Sequence, residues 1–237
     1  MHHTLTLMPR GVTAMKLFVD TANLTDLEQT LARGFVAGVT TNPSILAREE
    51  RVDFAEHIHA IVDLLRAHGG NLPLSVEVFV EDPAEMLDQA LKFVSLFDYP
   101  ALSVKVPIGW DELRVIAELA KRDIAVNCTC CMSFSQASMA ALAGARYVSL
   151  FWGRIRDIGY EPRSVVEQTA NAFRRGGLDT EIIVGSIRHF HDVAEAFTAG
   201  ADIVTVPPKF FPAMTAHPKT TEAVQQFLAD FKTWNTR

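Results

Sequence analysis

Ala101-Leu-Ser-Val-Lys-Val-Pro-Ile108 is a short apolar run, bounded by Tyr99-Pro100 before it and broken by Pro107 near its end. A run this short, closed by turn-forming residues, reads as a strand buried on both faces. Lys105 stands in it. A lysine is rarely buried, because the loss of its hydration must be compensated. Burial favours the neutral amine, which is the nucleophilic form. A neutral amine at a strand end can attack a carbonyl and form a Schiff base. The bland alternative is a lysine that snorkels out of the strand. The flanking segments weigh against it.

Within the run, Ser103 and Lys105 are two apart and share a face, while Val104 and Val106 take the other. The strand candidates on either side repeat this pattern. In residues 74–79, Ser75 and Glu77 oppose Val76 and Val78. In residues 124–129, Asn127 and Thr129 oppose Val126 and Cys128. Further strand candidates lie at 16–20, 37–40, 147–151, 181–186 and 202–206. Between them run helical patterns at 26–33, 54–68, 83–97, 111–122, 133–143, 164–175 and 190–199. Strands alternating with helices predict βα units and a parallel sheet. Eight of them in 237 residues suit a single-domain (β/α)8 TIM barrel. The rival is a doubly wound open sheet, and the chain has no GxGxxG to support its dinucleotide-binding form. Gly34, Gly144, Gly176-Gly177 and Gly200 fit helix C-caps. A last amphipathic helix is expected over 220–232. The fold is expected to occupy 15–237, starting at Met15-Lys-Leu-Phe-Val-Asp20, with 1–14 as an N-terminal extension.

In such a barrel the C-terminal ends of the strands line the active site. The polar residues there are Asp20, Thr40-Thr41-Asn42, Ser75 and Glu77, Ser103 and Lys105, Asn127 and Thr129, Ser149, Arg154, Ser186, Arg188 and Thr205. So many polar groups converging on one interior are costly unless they do chemistry.

Composition bounds the partners. The chain is 49% hydrophobic, enough for a large core, and its net charge of -6 argues against non-specific nucleic-acid binding. It leaves phosphate substrates open, since local arginines decide that. No apolar run approaches the roughly 18 residues of a membrane span. Cys128, Cys130 and Cys131 form no CxxC pair, and no signal peptide is evident, so a reducing cytoplasm is expected. The cysteines lack a fourth ligand at usable spacing. His57/His59 and His189/His191 are spaced to point apart on a helix and read as surface histidines. No metal or cofactor is therefore expected. Arg48-Glu-Glu-Arg51 reads as a solvated helix end. Val224, Phe227, Leu228 and Phe231 form one stripe, followed by Trp234, which covers either the chain's own barrel or a neighbour.

Phe18-Val-Asp-Thr-Ala-Asn-Leu24 with Ala37-Gly-Val-Thr-Thr-Asn-Pro-Ser-Ile45 resembles the signature of the transaldolase family. Ser103-Val-Lys-Val-Pro107 resembles its Schiff-base strand, and Asn127-Cys-Thr129 with Ser133-Phe-Ser-Gln136 its fifth strand and following helix. Gly153-Arg-Ile155 and Ser186-Ile-Arg-His189 resemble its phosphate-binding segments. Gln226-Phe-Leu-Ala-Asp230 is similar to the end of the short bacterial forms. The resemblance spans nearly all of 15–232, in order. It implies a metal-free class I enzyme that moves a dihydroxyacetone unit between ketose and aldose phosphates in the pentose phosphate pathway.

The resemblance also implies roles. Lys105 forms the imine, Asp20 is the base for carbon–carbon cleavage, and Glu77 and Thr129 hold a proton-shuttling water. Thr40, Asn42, Asn127, Ser149 and Phe151 bind the sugar. Arg154, Ser186 and Arg188 hold its phosphate. Fructose-6-phosphate aldolases, close relatives, carry glutamine in place of Glu77 and tyrosine in place of Phe151, so this sequence resembles the transferase branch. A pentamer pairing into a decamer is implied as well. Cys128, Cys130, Cys131, Leu150 and Trp152 depart from the family's usual residues. The rivals are an aldolase releasing free dihydroxyacetone, a transaldolase for a modified ketose such as a sulfonated one, and a sugar-phosphate-binding protein without catalysis.

Overall fold

Each strand carries at least one valine with no solvent exposure, among them Val19, Val39, Val76, Val104, Val126, Val148, Val184 and Val204. All eight belong to the core cluster that the helices cover. This is the period-two pattern of a strand whose outer face is roofed by helices. The computed structural model describes residues 15–50 and 52–236. In chain order it comprises β1 (Lys16–Asp20), α1 (Leu24–Leu31), β2 (Val36–Thr40), α2 (Pro43–Leu46), α3 (Phe54–Ala67), β3 (Leu74–Glu77), α4 (Pro83–Phe97), β4 (Leu102–Pro107), α5 (Glu112–Ala120) and β5 (Ala125–Cys131). There follow α6 (Phe134–Leu142), β6 (Tyr147–Phe151), α7 (Trp152–Asp157), α8 (Pro162–Gly176), β7 (Glu181–Gly185), α9 (His191–Thr198), β8 (Ile203–Val206), a 3-10 turn (Pro208–Phe210), α10 (Phe211–Thr215) and α11 (Pro218–Asn235). The strands close in sequence order, all parallel, with β8 returning to β1. This is the (β/α)8 barrel expected from the sequence, and the open sheet is excluded.

The barrel interior is divided. Phe18, Tyr147, Ile183 and Ile203 pack together as an apolar floor. Gly38 admits the Phe18 ring: a Cβ at that position would lie 2.5 Å from Phe18 Cζ. Across β3 to β6 the interior is polar instead, through Ser75, Ser103, Asn127 and Ser149, all buried.

Helix starts follow local chemistry. Asp53 and Asp82 cap α3 and α4 through backbone N–H groups at 2.8 Å, those of Ala55 and Ala84. Pro83, Pro162 and Pro218 occupy first-turn positions. The expected C-cap glycines Gly34, Gly144, Gly177 and Gly200 all have positive φ.

Several expectations need correction. β3 stops at Glu77 rather than residue 79, and β5 continues to Cys131 through a register shift after Cys128. The short helices α2, α7 and α10 were not foreseen. His57 is not a surface residue: it is buried, and its Nε2 lies 2.8 Å from Ala22 O. The stripe on α11 does not cover its own barrel, since Val224, Phe227, Leu228, Phe231 and Trp234 are 50–70% exposed. The 1–14 extension and Arg51 lie outside the described residues. No described helix is long and apolar enough to cross a membrane.

Candidate active site

Glu77 and Lys105 are paired neighbours at the C-terminal ends of β3 and β4. The ammonium Nζ of Lys105 is 3.0 Å from Glu77 Oε2 and donates to the Thr41 carbonyl at 2.9 Å. Lys105 is only 4% exposed, so the snorkelling alternative does not hold. Two oxygens satisfy a cation that burial would otherwise penalise. The pair opens onto a cavity of about 740 Å³ at the C-terminal mouth of the barrel.

Asp20 lines the same cavity from β1. Its Oδ1 accepts the Thr40 hydroxyl at 2.7 Å. Burial pushes the Asp20 carboxyl above its ordinary value. The Thr40 hydrogen bond, Lys105 and Arg48 oppose that rise, and Glu77 adds to it. Thr40 Oγ1 also lies 2.6 Å from Thr205 Oγ1 on β8.

The residues expected to bind substrate fall into two groups. Thr40, Asn42, Ser149, Phe151, Arg154, Ser186 and Arg188 line the cavity together with Asp20, Glu77 and Lys105. Asn127 and Thr129 are fully buried behind this wall. The Asn127 amide is engaged at both ends: Nδ2 donates to Ser75 Oγ at 3.1 Å, and Oδ1 accepts from Ser149 at 2.7 Å. The Thr129 hydroxyl has no hydrogen-bond partner among the described residues. A buried hydroxyl left this way is costly unless something else satisfies it. Asn42 Oδ1 caps α2 through the Ile45 N–H at 3.0 Å, which leaves the amide N–H donors for the cavity.

The arginines differ in state. Arg188 forks both terminal nitrogens onto Asp157, whose carboxyl that bond holds below its ordinary value. Gly153 makes room for it, because a Cβ there would lie 2.6 Å from both Arg188 Nε and Ser186 O. The Arg154 guanidinium makes no hydrogen bond or ion pair among the described residues and acts on Asp157 only through its charge. Ser186 has φ 57 and Cys130 φ 61, both left-handed without being glycine, and both line the cavity. Strain of that kind gathers at functional sites.

Sequence reasoning missed part of the wall. Arg48 and Glu49, expected at a solvated helix end, line the cavity, as do Asn23, Cys130, Lys209 and Phe210. The Asn42-Pro43 start signal of α2 could have revealed Arg48 and Glu49, since it turns the chain back over the barrel mouth. Cys130 is not an activated thiol, because burial and then Glu77 push its pKa up. Cys128 and Cys131 are buried with their sulfurs 3.9 Å apart.

A family model described as transaldolase/fructose-6-phosphate aldolase matches residues 17–237. A probable transaldolase of Carboxydothermus hydrogenoformans is 39% identical over 218 residues, covering 92% of this chain and 98% of the relative. One from Exiguobacterium sp. is 39% identical over 221 residues, covering 93% and 98%. One from Moorella thermoacetica is 40% identical over 220 residues, covering 92% and 98%.

Proposed function

This chain belongs to the transaldolase/fructose-6-phosphate aldolase family, and on that footing we propose that it is a transaldolase working through a Schiff base on Lys105. The observation that carries the reading is the buried Lys105–Glu77 pair opening on a cavity that Asp20 also lines. Lys105 passes its ammonium proton to Glu77 and adds as the free amine to the ketose carbonyl; Glu77 returns that proton to the departing hydroxyl, which leaves as water and gives a protonated imine. Asp20 takes the proton of the hydroxyl beyond the scissile bond. That bond breaks, its electrons flow into the imine, and an aldose phosphate departs. The enamine then attacks an acceptor aldehyde, Asp20 returns the proton, and water hydrolyses the imine. A positioned acid–base group of this kind contributes about 10²–10⁴-fold.

The other roles follow from what each side chain has free. The unpartnered Thr129 hydroxyl and the Glu77 carboxylate suit a shuttling water. Asn42 offers N–H donors to a sugar oxygen, and Thr40 and Ser149 offer hydroxyls. Asn127 acts through Ser149, since its own amide is engaged. Arg154, Ser186 and Arg188 take the phosphate, with Arg188 sharing its guanidinium between phosphate and Asp157. Phe151 has no hydroxyl to help release the three-carbon unit to water, so the imine waits for an aldehyde. We place the enzyme in the cytoplasm, in the pentose phosphate pathway, as a ring of five that pairs into ten. The uncovered stripe on α11 supports an assembly.

The test is acceptor dependence. Purified protein receives fructose 6-phosphate with and without erythrose 4-phosphate, and sedoheptulose 7-phosphate and free dihydroxyacetone are followed. Turnover that requires the acceptor, with Phe151→Tyr raising acceptor-free release, is the expected result. Sustained dihydroxyacetone release by the parent protein would instead make it an aldolase.

A further inference from the structure

We propose that Thr205 is a positioning residue, the terminal donor of a one-way hydrogen-bond chain that runs Thr205 to Thr40 to Asp20 Oδ1 and leaves Oδ2 for the substrate proton. The inference rests on the reading of Asp20 as the cleavage base.

The geometry carries it. Thr40 and Thr205 are 2% and 5% exposed, at the foot of the cavity wall. Thr40 Oγ1 lies 2.7 Å from Asp20 Oδ1 and 2.6 Å from Thr205 Oγ1. A threonine hydroxyl has one proton to give. Ionised Asp20 can only accept, so the Thr40 proton points to it and Thr205 must donate to Thr40. The reverse chain would carry a proton from Asp20 Oδ1 to Thr40, and the Thr40 proton to Thr205. The Thr205 proton would then need an acceptor, and among the described residues its only hydrogen-bond partner is Thr40. No described protein group is placed to take that proton, and a hydroxyl bond to an ionised carboxylate is the stronger of the two arrangements. The chain therefore favours the carboxylate over the acid, and it keeps Oδ1 occupied while Oδ2 makes no hydrogen bond among the described residues.

The charged groups around Asp20 are the same in the parent and in the Thr205 variants. Lys105 on β4 and Arg48 beyond α2 favour its ionised form, while Glu77 on β3 opposes it. Asp26, Glu49, Cys130 and Lys209 line the same cavity. None of them touches Thr205 through a hydrogen bond.

Thr205→Val keeps the methyl that packs against Gly185, where a Cβ would lie 3.3 Å from Thr205 Cγ2, and removes only the donor. Hydrogen bonds in a chain reinforce one another by roughly 10–30% each. The variant should therefore shift the acid limb of the pH profile of kcat/KM upward, lowering activity on that limb about two- to fourfold. At higher pH it should match the parent. Thr205→Ser restores the hydroxyl and should restore the limb. An acid limb unmoved in Thr205→Val, or shifted equally in Thr205→Ser, overturns the proposal. Asp20→Asn, measured alongside, separates the two levels. Full cleavage by that variant overturns the base assignment and this inference with it. An inactive Asp20→Asn with an unmoved Thr205→Val overturns the inference alone.

Discussion

Asp20 illustrates how function costs stability at a single residue. Its carboxyl titrates above its ordinary value of 3.8, chiefly because it is buried. Between 3.8 and that raised value the folded protein binds more protons than the unfolded chain. The group's stabilising contribution is therefore complete below 3.8 and is lost as pH rises through the folded value. Asp20→Asn removes the ionisation, and its amide can still accept from Thr40. The variant should melt higher than the parent at neutral pH, and the gap should narrow as pH falls toward 3.8, while carbon–carbon cleavage drops about 10²–10⁴-fold. Thermal melts across pH with parallel assays check both halves. A variant that melts lower at neutral pH would contradict the account. This residue was legible in the sequence because it ends a strand. Arg48 and Glu49 were not, because a run of mixed charge normally marks a solvated surface.

Among the elements, the strands were the most legible. The alternation of one outward valine with one inward polar group persists in β3, β4 and β5, where the site is built. The short helices escaped because four to six residues cannot display a helical period. Two of them, α2 and α7, carry cavity residues, so the fine wall of the site was the least legible part. The far wall depends on Asp192 at the start of α9. Its Oδ1 accepts from Arg156 Nη2 at 2.8 Å, and its Oδ2 from the backbone N–H groups of Arg188 and His189 at 3.2 and 3.0 Å. Burial raises the Asp192 carboxyl pKa, but these hydrogen bonds outweigh it and hold the group below 3.8. Asp192→Asn should cost about 1–3 kcal/mol at neutral pH. The difference should fade as pH falls through the depressed folded value, where the parent loses the same contribution. Because Asp192 anchors the backbone of Arg188, KM for phosphorylated donors should rise more than kcat falls. A variant with parental stability and KM would show that other contacts hold this wall.

At the scale of the whole molecule, the closed barrel brings residues from all eight strands and their loops to one mouth, while α11 keeps its apolar stripe uncovered. The pattern of that stripe was readable, but its destination was not, because periodicity tells which face is apolar and not what covers it. Phe227→Glu with Phe231→Glu should reduce the assembled mass by light scattering and leave the secondary structure intact. An unchanged mass would place the interface elsewhere. The most direct measurement on the central claim is borohydride trapping with fructose 6-phosphate, followed by peptide mass mapping. The expected result is a reduced three-carbon adduct on Lys105 that is absent from Lys105→Met. An adduct on another lysine, or none while turnover continues, would contradict it.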